Sequence, residues 1–122
     1  MAEILLIDDD DAFRGVVATT LRQAGHQVTE ASDGRKGIAQ FRSKPADLVI
    51  TDLVMPRQEG IETILELRRD FPGLRIIAIS GAAHSPTYLR LADQLGATRT
   101  LAKPVPAETL LRAVEELLTG DR

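Results

Sequence analysis

The sequence contains no cysteine, which excludes disulfides, thiol nucleophiles and thiolate metal sites and accords with a reducing compartment. It also lacks any long apolar run. The longest aliphatic stretch, Ile4 to Ile7, is far too short for a signal-peptide core or a membrane span. A basic excess is missing as well: 15 Lys plus Arg stand against 18 Asp plus Glu, for a net charge of −3. No global positive field therefore draws the chain onto nucleic acid or an anionic membrane, and protein or small-molecule partners are expected. No internal repeat, low-complexity tract or interdomain linker is visible. These absences lead us to expect a cytoplasmic protein, and its 122 residues with 43% hydrophobic content suit one domain spanning residues 1–122.

What is present alternates regularly. Strand-like segments are EILLI, QVTEA, ADLVITD, LRIIAIS and ATRTLA, starting at Glu3, Gln27, Ala46, Leu74 and Ala97. Ile4–Ile7 and Ile76–Ile79 are almost wholly apolar, as central parallel strands covered on both faces should be. Between the strands run helical patterns. Phe13, Val16, Val17, Leu21 and Ala24 share one face before Gly25, and Ile61, Ile64 and Leu65 mark a later helix. Tyr88, Leu91, Ala92 and Leu95 precede Gly96, and Pro106 opens a last helix at its first position, with Ala107, Leu110, Leu111, Val114, Leu117 and Leu118 toward the core. Residues 33–43 give a weaker helix interrupted by Gly37. Five β-α repeats in this length predict an α/β, doubly wound parallel sheet with right-handed crossovers. Ligands of such sheets sit beyond the carboxyl ends of the strands, where the strand order reverses.

The polar chemistry gathers at those ends. The first strand ends in Asp8 and Asp9, the third in Asp52, the fourth in Ser80, and the fifth in Lys103 and Pro104. If the first and third strands are neighbours, three carboxylates converge, and their repulsion is costly unless a cation neutralises it. An all-oxygen donor set without His or Cys selects a hard divalent ion such as Mg²⁺. A carboxylate beside that ion can attack a phosphoryl group to give an aspartyl phosphate, whose oxygens the Ser80 hydroxyl and the Lys103 ammonium could bind. The two histidines, His26 and His84, are expected in exposed loops without a metal role.

Together, LLIDDDD, VITDLVMPRQEG around Asp52, the hydroxyl residue closing IIAIS, and LGATRTLAKP at the fifth strand resemble the receiver domains of two-component response regulators, over the whole chain and in the same order. The resemblance implies five parallel strands in the order 2-1-3-4-5 with five helices. It implies that Asp52 is the phospho-acceptor, that Asp9 is a direct Mg²⁺ ligand with Asp8 as its partner, and that the backbone carbonyl of Val54 completes the metal site. Ser80 and Lys103 match the switch hydroxyl and the phosphate-pairing lysine; the match at Lys103 carries weight in a chain with three lysines against twelve arginines. Met55, Pro56 and Gly60 match the turn after the acceptor, and Lys103-Pro104 a peptide bond that is typically cis. Asp10 and Asp11 open the first helix, where negative charge meets the positive end of its dipole.

By this resemblance, a histidine kinase or phosphotransfer protein phosphorylates Asp52 and shifts the conformation that a downstream protein reads. The reading face would be the fourth helix, fifth strand and fifth helix, with Tyr88 and Arg99 at its surface. Such a receiver, alone or as part of a longer regulator, is no turnover enzyme: it catalyses only its own phosphorylation and slow dephosphorylation. Two departures matter. Thr100 stands where the family carries Tyr or Phe, which leaves a phosphorylation-independent adaptor as the competing reading, and Val54 and Ala82 are apolar where side chains influence loss of the phosphoryl group. An aspartate-nucleophile phosphatase of the haloacid-dehalogenase type would need Asp-x-Asp followed by Thr or Val and Gly, which DDDDAFRG does not offer. A flavodoxin-like cofactor binder would need a first loop that welcomes phosphate, and four carboxylates repel one.

Overall fold

A computed structural model describes residues 2–53, 59–81 and 85–120. The chain runs β1 (Glu3–Ile7), α1 (Asp11–Gln23), β2 (Gln27–Ala31), α2 (Gly34–Ser43), β3 (Leu48–Asp52), α3 (Glu59–Asp70), β4 (Arg75–Ser80), α4 (Ser85–Leu95), β5 (Arg99–Ala102) and α5 (Ala107–Leu118). All strand pairings are parallel, in the order β2-β1-β3-β4-β5, as expected from the sequence. No helix among the described residues is long and apolar enough to cross a membrane.

The apolar strands serve two cores at once because successive side chains point to opposite faces. Ile4, Leu6, Leu48, Ile50, Ile77 and Ile79 pack against α1 and α5 through Val17, Leu21, Leu110 and Val114. Leu5, Ile7, Val49, Ile76 and Ala78 pack on the other side with Phe41, Ile64, Leu67 and Ala92 of α2, α3 and α4. Four apolar residues in a row at β1 are thus required by burial on both faces.

The helix ends follow their side chains. Asp10 caps α1, its carboxylate accepting from the Phe13 N–H at 3.0 Å, and Asp33 caps α2 by accepting from Lys36 at 2.8 Å. Gly25 and Gly96 follow α1 and α4 with φ of 98° and 124°, the left-handed region that glycine enters without steric cost. Pro106 is the cap of α5 and not its first residue, with ψ at 144°. Gly37 does not interrupt α2. A Cβ there would lie 2.4 Å from Ile7 Cδ1, so the missing side chain lets the helix settle onto β1.

Several residues expected in the core face solvent. Val16, Leu65 and Leu91 are 66%, 45% and 38% exposed, and Ala107 is exposed. Val16, Leu65 and Leu91 each adjoin a buried residue, Val17, Ile64 or Ala92, and a neighbour about 100° further round the helix leaves the contact. Leu67 and Thr63 fill the α3 interface instead, buried to 0% and 2% exposure. His26 also departs from expectation: it is buried, and its Nδ1 accepts from the backbone N–H of Ala2 at 3.3 Å.

Gly60, expected in a turn, is the second residue of α3. A Cβ on it would meet the Asp52 carbonyl oxygen at 2.4 Å and Leu53 Cα at 2.5 Å, whereas Gly15 of α1 has nothing within 4 Å of that position. Gly60→Ala should therefore cost about 2–3 kcal/mol by forcing backbone apart, and Gly15→Ala should gain about 0.5–1 kcal/mol from helix propensity alone. Urea denaturation of the two variants checks this; equal effects would refute the close approach of α3 to the end of β3.

Candidate functional site

Strand register brings the polar ends together. Ile7 lies opposite Thr51 in the β1–β3 ladder and Asp52 opposite Ile79 in the β3–β4 ladder, so the residues just after β1 and at the ends of β3 and β4 share one edge. Asp8 is 1% exposed, Asp52 4% and Ser80 0%. The Asp8 N–H extends the β2 ladder by donating to the Ala31 carbonyl at 3.0 Å, which fixes where the acidic loop leaves the sheet.

Three carboxylates meet there. Asp8, Asp9 and Asp52 each offer an oxygen, all within 4.8 Å of one another, with Asp9 on the exposed side. The donor set is all oxygen and anionic, which fits a hard divalent cation such as Mg²⁺. One Asp8 oxygen is already engaged by the Asp10 N–H at 2.9 Å. The other faces Lys103, whose Nζ stands 3.2 Å from Asp8 Oδ2 and 3.4 Å from Asp52 Oδ2. Burial acts to depress the Lys103 pKa, but the charges of Asp52 and Asp8 outweigh it and hold the value above that of an ordinary lysine. Lys103 is therefore a cation at neutral pH. Its own backbone N–H donates to the Ser80 carbonyl at 2.8 Å, so the two groups expected to hold phosphoryl oxygens belong to one hydrogen-bonded unit. The Lys103-Pro104 bond that follows is cis.

Two residues at the site were not singled out as functional from the sequence. Arg14 donates to the Asp8 carbonyl at 2.7 Å and pairs with Asp11 at 2.8 Å and Glu30 at 3.1 Å, bracing the acidic loop against α1 and β2. Phe13 presents its ring to Lys103 Nζ, 4.2 Å from the centroid. As an aromatic side chain at a core-facing position, Phe13 reads as packing, and only the approach of a distant lysine distinguishes it. Val54, Met55, Pro56, Ala82 and His84 lie outside the described residues, as does the side chain of Tyr88.

The family model for the response regulator receiver domain matches residues 4–115. The chain belongs to the response regulator receiver family. It is 33% identical over 121 residues to the protein PilH of Pseudomonas aeruginosa, covering 98% of this chain and 100% of that one. It is also 33% identical over 120 residues to the DNA-binding transcriptional regulator NtrC of Azospirillum brasilense, covering 98% of this chain but only 25% of that protein. A CheY-like receiver domain crystal structure from Methanospirillum hungatei superposes with a TM-score of 0.91 at 28% identity, covering 98% of this chain and 95% of the other. The receiver fold, and a receiver of two-component systems, are thereby shown.

The acidic cluster sets opposite expectations for its members. Lys103→Met leaves Asp8 and Asp52 buried without their ammonium and should cost about 2–4 kcal/mol in the absence of divalent ions. Asp52→Asn removes one repelling charge and should stabilise by about 1 kcal/mol. Saturating Mg²⁺ should shrink both differences, as read by urea denaturation with and without the ion. Gaps indifferent to Mg²⁺ would mean that these acids do not share a metal.

Proposed function

We propose that this receiver accepts a phosphoryl group on Asp52 from a histidine kinase or a phosphotransfer protein, and that the modified state is read by a downstream protein. The observation that carries this reading is a buried carboxylate, Asp52, standing 3.4 Å from an ammonium and within 4.8 Å of two further acids at the ligand-binding edge of the sheet.

In the reaction, one Asp52 oxygen forms the new O–P bond as the bond from phosphorus to the donor's leaving atom breaks; the electron pair departs with that atom, an imidazole nitrogen in phosphohistidine, which then takes up a proton. Lys103 is already beside the nucleophile and exchanges a carboxylate oxygen for a phosphoryl oxygen with little movement. The Ser80 hydroxyl donates to a second phosphoryl oxygen. Asp8 and Asp9, with Asp52 and the backbone carbonyl of Val54, would hold Mg²⁺, which when bound neutralises the acids and the equatorial phosphoryl oxygens. The receiver is no turnover enzyme on this reading, since its substrate remains attached to its own side chain.

Output is assigned to the face of α4, β5 and α5. Arg99 of β5 pairs with Glu116 of α5 at 2.7 Å on that side, and the partly exposed Leu91 of α4 offers apolar surface. The acidic net charge of −3 supports a protein partner over nucleic acid. A chain spanning all of PilH and a quarter of NtrC is compatible with either a single-domain or a larger regulator.

Incubation with acetyl phosphate and Mg²⁺ should add one phosphoryl mass to the wild-type protein and none to Asp52→Asn, because the amide is nearly isosteric but not nucleophilic. Labelling of the variant would overturn the acceptor assignment. Failure to label the wild type would favour a phosphorylation-independent adaptor.

Phosphorylation should shift amide resonances from residue 81 through α4 and β5 more than those of α1 beyond its first turn. Shifts confined to the loops touching Asp52, with 85–92 silent, would refute this output face.

A further inference from the structure

Among the described residues, the Lys103 ammonium meets two carboxylates and one aromatic ring. Its N–H bonds are directed to Asp8 Oδ2 at 3.2 Å and Asp52 Oδ2 at 3.4 Å, while the Phe13 ring lies 4.2 Å away. An aromatic face carries negative quadrupole potential, so a cation resting on it is attracted without spending an N–H on a fixed acceptor. The ring is itself well anchored. The Phe13 backbone N–H is held by the α1 cap at 3.0 Å, and its partly buried side chain packs against the core formed with α1 and α5.

Lysine otherwise positions poorly: a four-carbon stem with a point charge at its end has many rotamers to lose. Here the stem spans from the end of β5 to the acids, and the side chain as a whole is 20% exposed. The ring adds a third contact to the ammonium beside the two carboxylates. Among the described residues, Asp9 lies on the exposed side and Arg14 is committed to Asp8, Asp11 and Glu30.

We propose that Phe13 is a positioning residue for Lys103, holding its ammonium between Asp8 and Asp52 so that the cation is in place to receive phosphoryl oxygens. This rests on the reading of Asp52 as the acceptor. It gives the first turn of α1 two tasks at the site: Asp10 fixes the turn, and the turn presents the ring.

Two measurements test it. The first titrates Mg²⁺-saturated protein with beryllofluoride, a non-transferable stand-in for the phosphoryl group, followed by amide shifts. Phe13→Leu keeps an apolar side chain but has no π face, and should weaken beryllofluoride binding about three- to ten-fold, while Phe13→Tyr should remain within about two-fold of wild type. Phe13→Met repeats the comparison with a different shape should leucine fold badly. The second is a double-mutant cycle on urea stability without beryllofluoride, joining Phe13→Leu and Lys103→Met. The loss in folding equilibrium constant caused by Phe13→Leu should be about three- to ten-fold smaller when Lys103 is already methionine. Wild-type affinity in Phe13→Leu, or strict additivity in the cycle, would reduce Phe13 to core packing. A wild type that binds no beryllofluoride, whatever the cycle shows, would instead overturn the acceptor reading on which the role depends.

Discussion

Like charges crowded at one edge of a sheet are the constraint around which this molecule is arranged. Asp8, Asp9 and Asp52 bring oxygens within 4.8 Å of one another, and two of the three side chains are buried. Buried carboxylates so close together either take up a proton or find cations. One cation is built in, Lys103, and it is shared between Asp8 and Asp52. Among the described residues one ammonium faces these three acids, which leaves the edge receptive to a divalent ion. The hydrogen bond from the Asp10 N–H to Asp8 and the Arg14 bond to the Asp8 carbonyl hold the acids in place against their repulsion.

A parallel sheet of this order imposes such crowding cheaply. With β1 central between β2 and β3, the chain leaves β1 and β3 at the same edge and in register, and the helices return it to the other end each time. Both sheet faces are then covered, which is why β1, β3 and β4 are apolar at almost every position and why polarity appears abruptly at Asp8, Asp52 and Ser80. The functional edge is the place where burial of the strands ends. Gly60 adds to this by allowing α3 to approach the backbone of Asp52 and Leu53.

That abrupt change from apolar to acidic is what made the fold and the acids readable in the sequence. Strand segments and helix faces follow periodicities of two and 3.6 residues, and the ends of the strands point to Asp8, Asp52, Ser80 and Lys103. What failed was rotation and reach. Val16 adjoins Val17, and Leu65 adjoins Ile64, so both neighbours fit an apolar stripe that only contact with the sheet can narrow. Gly37 looked like a breaker because its value is an absent Cβ near Ile7, a contact 30 residues away in sequence. Phe13 and Arg14 were illegible as site residues for the same reason: Phe13's partner, Lys103 just beyond β5, and one of Arg14's, Glu30 of β2, lie far along the chain. His26 reads as an exposed loop residue; it does lie in the loop before β2, but it is buried, with Ala2, just before β1, as its donor.

The missing aromatic at Thr100 bears on how an edge so arranged could signal. On the proposed function, adding a phosphoryl group to Asp52 gives Lys103 and Ser80 a new common target. Their backbones are already joined, since the Lys103 N–H donates to the Ser80 carbonyl, and the β4–β5 ladder continues beneath them through the pairs Ile79–Leu101 and Ser80–Ala102. Movement of either residue is therefore movement of a unit that includes the ends of both strands. From that unit the chain leads directly through Gly81 toward α4 on one side and back along β5 to Arg99 and its partner Glu116 on the other. A ring turning inward at position 100 would be one way to report the displacement. A rigid hydrogen-bonded corner between two strands is another, and it requires of residue 100 only that it stay in register opposite Ala78.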